Sequence, residues 1–125
     1  MRFILENDAH HYLVSSYGAG WVNVNEREFR RSLIVMPKQV IADWPPQTFG
    51  DLETLHFETI AQLEPEMVVL GTGGRQQFPH PRLIQPLLAK GIGVETMDTA
   101  AACRTYNIIM LEGRRVAAAL LMMVD

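Results

Sequence analysis

The sequence predicts a mixed α/β fold: a small parallel β-α-β-α-β unit packed with an N-terminal antiparallel β layer. Three observations carry that expectation. In the first half, apolar residues come in short runs separated by glycine and proline turns, the texture of strands. In the second half, helix-length segments alternate with apolar runs such as "MVVL", the pattern of parallel crossovers. With 125 residues, 48% of them hydrophobic, the chain reads as one domain, residues 1–125, long enough to enclose a core.

The opening "MRFILENDAHHYL" is a short apolar patch broken by Glu6, Asp8 and two histidines, shorter than the apolar core of a signal peptide. "YLVSSYG" and "GWVNVN" then form a hairpin around Gly18 to Gly20, with Trp21, Val22 and Val24 as strand-favouring side chains. "NEREFRR" is charged and is expected to be solvated. "SLIVMP" and "QVIADWPP" are two further strands, each ended by proline, which cannot donate to a ladder.

"LHFETIAQLEP" places Leu55, Ile60 and Leu63 among polar residues, giving a short helix stopped near Pro65. "EMVVLG" has the unbroken apolar texture of a buried strand. "PRLIQPLLAKG" reads as a helix, with Pro81 in its first turn and Gly91 as C-terminal cap. Pro86 inside it predicts a kink or a loosely wound start. "IGVETM" is again a strand. "DTAAACRTYNIIMLEG" is the best-defined helix, with Asp98 or Thr99 as N-cap and Gly113 ending it. Ala100, Cys103, Tyr106, Ile109 and Met110 spread over several of its faces, so it should be covered on more than one side. "RRVAAALLMMV" has helix-favouring residues, but a strand there completes the second crossover, and a strand is expected.

Composition narrows the function. A formal charge of -3 gives no overall field to recruit nucleic acid. The single Cys103 forms no internal disulfide and suits a reducing compartment. The longest apolar run, Val116 to Val124, is about half the ~18 residues of a membrane span, so no membrane crossing is expected. The start has neither a signal peptide nor a mitochondrial-type leader, and the expected location is cytoplasmic.

The stretch "VVLGTGGRQQFP" raises the question of phosphate binding. A P-loop needs lysine and a hydroxyl residue after its last glycine, and here Arg75 and Gln76 follow. The dinucleotide fingerprint fails at Gln76, and Phe78 to Pro81 delay the helix. Two readings remain open. The loop N–H groups cradle an anion beside Arg75, or Gly73 and Gly74 take positive φ only to leave a buried strand. Cys103 among alanines reads as core, and no histidine pattern supplies a partner base. The histidines lack the spacing of a metal pair, so no catalytic residue, metal or cofactor is expected.

Glu95, Asp98, Thr99, Arg104, Thr105 and Asn107 are polar groups on an otherwise apolar strand–helix unit. They form either a buried network joining Glu95 and Arg104 to main chain or one wall of a crevice at the strand ends. The candidate ligand- or partner-binding set is therefore Gly71, Thr72, Gly73, Gly74, Arg75 and Gln77 with Thr99, Arg104, Thr105 and Asn107.

The glycine loop, "GIGVETMDTAAACRTYNIIMLEGRRVAAAL" and the early "YGAGWVNVN…SLIVMP" together resemble a family of small, mostly uncharacterised proteins. In animals it includes mitochondrial respiratory-chain complex I assembly factor 3 and the adipogenesis-associated Mth-type domain protein. The resemblance spans nearly the whole chain. It implies the Mth-type domain fold, a strand at Val116 to Met123, and a non-catalytic binding or assembly-type adaptor with a protein partner. The family pattern falls on Gly71, Gly73, Met97, Thr99, Thr105, Asn107, Glu112 and Arg114, without an agreed catalytic set. The alternative is a small-molecule-binding protein or enzyme using a crevice between Gly71–Gly74 and the Thr99–Asn107 helix.

Overall fold

A computed structural model of the protein describes residues 2–5 and 11–124. Its first half holds β1 (Arg2–Leu5), β2 (Val14–Gly18), β3 (Trp21–Val24), β4 (Arg27–Phe29), β5 (Leu33–Met36) and β6 (Gln39–Ala42). A 3-10 turn at Phe49–Asp51 leads to α1 (Thr54–Gln62). The second half is β7 (Met67–Thr72), α2 (Gln85–Leu88), β8 (Gly93–Met97), α3 (Thr99–Leu111) and β9 (Val116–Leu121).

The strands form a six-stranded sheet, in the order β1-β6-β5-β9-β7-β8, and a three-stranded sheet, β2-β3-β4. β7, β8 and β9 are mutually parallel as expected, with Leu70 opposite both Thr96 and Ala119. The antiparallel layer is smaller than the sequence suggests. β5 and β6 join the main sheet instead, because β5 runs antiparallel to β9 with Ile34 opposite Ala119. All four residues of β5 are buried, so it has apolar faces to give to both sides.

Two strands lie where none was expected. β1 pairs with β6 along Arg2–Leu5, at the opening patch. The charged "NEREFRR" forms β4, which pairs with β3 through Val22 opposite Phe29. Burial there falls on Phe29 alone: Arg27 and Glu28 are exposed, and Arg27, on the same face by strand alternation, lies over the Phe29 ring. Asn25 makes the connecting turn with φ 55°, a conformation asparagine tolerates. α2 is shorter than its apolar pattern implies, since Pro86 confines it to the loosely wound alternative.

Alternation along β9 divides the core. Val116, Ala118 and Leu120 face α3 and the small sheet, with Tyr12, Val22 and Phe29 in the same cluster. Ala117, Ala119 and Leu121 face the α1 and α2 side, with Trp44, Phe57 and Leu87. β9 therefore resists its own helix propensity because β5 and β7 flank it and both its faces are buried. α3 is covered by the large sheet below and by β2 at its flank, as its broad apolar surface requires.

Candidate functional site

Gly71, the penultimate residue of β7, faces α3. A Cβ there would lie 2.9 Å from the Thr99 hydroxyl and 3.0 Å from Thr99 Cα, so glycine is what lets the first turn of α3 rest on the strand. Asp98 caps that turn by accepting from the Ala101 N–H at 2.8 Å. Thr99 is fully buried and stitches three elements together. Its N–H donates to Gly73 O (2.9 Å), and its hydroxyl accepts from the Gly73 N–H (2.9 Å) and donates to Leu121 O (2.6 Å). The Thr72 hydroxyl accepts from the Gln77 N–H (3.1 Å) and lies 2.7 Å from Arg75 O, which folds the loop onto itself. Gln76 Nε2 donates to Thr96 O at the end of β8 (2.9 Å).

These bonds set the course of the loop. Gly73 has φ +100°, so it turns the chain, and its N–H is already engaged by Thr99 rather than open to an anion. Gly74 does not share the positive φ. Between loop and helix there is direct contact through Gly73 and Thr99.

The rest of the predicted helix set faces elsewhere. Asn107 clasps the edge of β2: its Oδ1 accepts from the Val14 N–H (2.9 Å) and its Nδ2 donates to Val14 O (2.8 Å). Arg104 is exposed and donates to the Tyr17 hydroxyl at 2.7 Å. Glu95 is exposed as well, so the expected Glu95–Arg104 network is not formed. Thr105, two residues from Asn107, points to the other flank of the helix and is half-buried. Tyr106 is buried among apolar groups and donates to Tyr12 O at 2.7 Å; burial pushes its phenol far above the ordinary range. The Cys103 thiol is buried beside it and is pushed up to about 12 by burial, so it stays protonated at neutral pH.

The loop does border a cavity, of about 330 Å³, on its other side. One wall is Thr72 to Arg75 with Gln77. The second is Gln47 to Phe49, and the third is the exit of β9 at Leu121, Met122 and Val124. Five of the ten predicted residues thus line one cavity, while Gly71, Thr99, Arg104, Thr105 and Asn107 do not. The Gln47–Phe49 wall was missed, because only tertiary structure brings "WPPQTFGD" to the ends of β7 and β9. It is held firmly: Gln47 Oε1 accepts from the Ser32 N–H (3.2 Å) and its Nε2 donates to Trp44 O (2.9 Å). The Asp51 carboxylate accepts from the Gln47 and Thr48 N–H groups, which hold its pKa below the usual value.

Nearby, His56 packs edge-on against the fully buried Trp44, and its Nδ1 accepts from the Glu53 N–H at 2.9 Å. Burial lowers its pKa. Among the described residues, no group of three histidine, cysteine or acidic side chains is placed to hold a metal.

Comparison with known proteins agrees with this fold. A mouse protein named NADH dehydrogenase [ubiquinone] 1 alpha subcomplex assembly factor 3 is 34% identical over 112 residues, a match covering 88% of this chain. The chain spans about 60% of that relative's length. A crystal structure from Bordetella parapertussis is 43% identical, covers 93% of this chain and 99% of its own, and superposes with a TM-score of 0.86. A Bordetella pertussis solution structure described as a Mth938-like domain is 35% identical, covers 100% of this chain and 94% of its own, and gives 0.83. Residues 14–121 match the family described as Protein of unknown function (DUF498/DUF598), and with its mixed α/β, Mth938-like fold the chain belongs to that family.

Proposed function

We propose that the chain is a non-catalytic, assembly-type adaptor that meets a protein partner through the outer face of α3 and the adjoining edge of β2. One observation carries this reading. Ile108 is 61% exposed and Leu111 74% exposed, on the face of α3 that also carries Arg104. Leu13, also exposed, precedes the Val14 that Asn107 holds against the same helix. Clustered exposed apolar side chains with a neighbouring arginine are the composition of a contact surface. The mouse relative's name supports the assembly role and suggests a respiratory or other membrane-associated complex as the partner. No helix among the described residues is long and apolar enough to cross a membrane. A cytoplasmic location is part of the same proposal.

The test is native affinity purification of the tagged chain from its own cells, detergent-solubilised membranes included, beside an Ile108→Glu/Leu111→Glu variant. A stoichiometric protein partner should accompany the wild type and be lost from the variant while circular dichroism stays unchanged. Equal recovery with both proteins would remove this face from the proposal. A Gly73→Val variant would not serve in its place, because the positive φ of Gly73 and its bonds to Thr99 make that a folding mutation.

A second reading, small-molecule binding at the glycine loop, is favoured by the cavity between that loop and Gln47–Phe49.

A further inference from the structure

We infer that the cavity at the ends of β7 and β9 binds a small organic acid, a single carboxylate on a short apolar body. The inference rests on the second reading above and is independent of the α3 face.

Topology places the cavity where an α/β sheet opens. β7 and β9 are neighbours in parallel, with Thr72 opposite Leu121. Beyond that pair their chains part. The chain from β7 continues to α2, whose Leu87 packs in the core on one side of the sheet. The chain from β9 turns to the other side, where Met123 bridges Ala19 and accepts from the Gly20 N–H at 2.7 Å. Adjacent parallel strands whose connections diverge to opposite faces leave a crevice at their carboxyl ends, the usual ligand position in open α/β sheets. The volume of about 330 Å³ lies at the small end of ligand pockets.

The lining sets the ligand's chemistry. Phe49, Leu121, Met122 and Val124 supply apolar wall. Most polar groups there already have partners: the Gln47 amide holds Ser32 and Trp44, and the Thr72 hydroxyl holds its own loop. Arg75 is the arginine on this cavity's lining, and like Arg27, Arg82, Arg104 and Arg115 it makes no salt bridge among the described residues. Its guanidinium fork matches one carboxylate in two-point fashion, with Gln77 as a neutral neighbour. A phosphate ester carries more charge than this single cation balances, and a nucleotide needs more donors and more room. A bare inorganic anion would leave the apolar wall without a role. Glycine at position 74 keeps the rim open, since a Cβ there would come within 3.3 Å of Val124 O.

The test is a titration of the full chain followed through backbone amide NMR signals, with phenylacetate, its neutral match phenylacetamide and inorganic phosphate as probes. Phenylacetate should shift the Phe49, Gly73, Gly74 and Val124 signals saturably. Phenylacetamide and phosphate should bind at least about tenfold more weakly, the scale of one lost charge-assisted contact. Arg75→Gln, a change at an exposed position, should weaken phenylacetate by a similar factor with the melting temperature unchanged, and Arg75→Lys should restore only part. Equal binding of acid and amide, tighter binding of phosphate, an unaltered affinity in Arg75→Gln, or no shift at millimolar phenylacetate would each overturn the inference. None of these results depends on whether the α3 face recruits a protein.

Discussion

Asn107 satisfies both main-chain groups of Val14 with one side chain, and Thr99 does the same for Gly73 N–H and Leu121 O. Removing either side chain leaves buried or half-buried main chain without partners. Asn107→Ala and Thr99→Val should each cost roughly 1–3 kcal/mol in urea unfolding, although both lie in the predicted binding set. The Cys103 thiol, held protonated by burial, should resist thiol-specific labelling at pH 8 and react fully once the chain is unfolded. His56 has a folded pKa below its ordinary 6.5, so the unfolded state takes up its proton first as pH falls. The stability due to its neutral form is complete above that value and declines as pH drops through 6.5 toward the folded pKa. His56→Gln should flatten the melting-temperature profile across that window.

At the level of elements, α3 was legible because Asp98 and Gly113 mark its ends and its apolar breadth demands two coverings. β4 was not legible, because the five charged residues around one buried Phe29, Glu26 to Glu28 with Arg30 and Arg31, look like a solvated loop. The place of β5 and β6 in the main sheet was equally hidden. Their apolar runs are satisfied by any sheet, and only the pairing of Leu33, Ile34 and Val35 with β9 selects this one. The glycine loop announced itself, but its neighbours Phe49 and Val124 did not, since no local pattern links them. Small residues in β9 make the central pairing close. Ala118 faces α3 between Val35 and Val69, so Ala118→Leu should destabilise by about 1–3 kcal/mol through overpacking, measurable by chemical denaturation.

For the molecule as a whole, the cores on the two faces of the large sheet meet through β9, and the contacts that define it run between distant parts of the chain. A chain ending before Val116 should lack cooperative unfolding and become sensitive to proteases, even though most of its residues remain. Such topology favours slow folding. β9 emerges from the ribosome after every strand it must join, while β1-β6-β5 and β7-β8 wait as two half-sheets with open inner edges. Synthesis therefore passes through a stage at which strand edges are available to any neighbouring nascent chain. The central position of β9 makes its arrival, rather than the appearance of any one earlier helix or hairpin, the event that joins the two half-sheets.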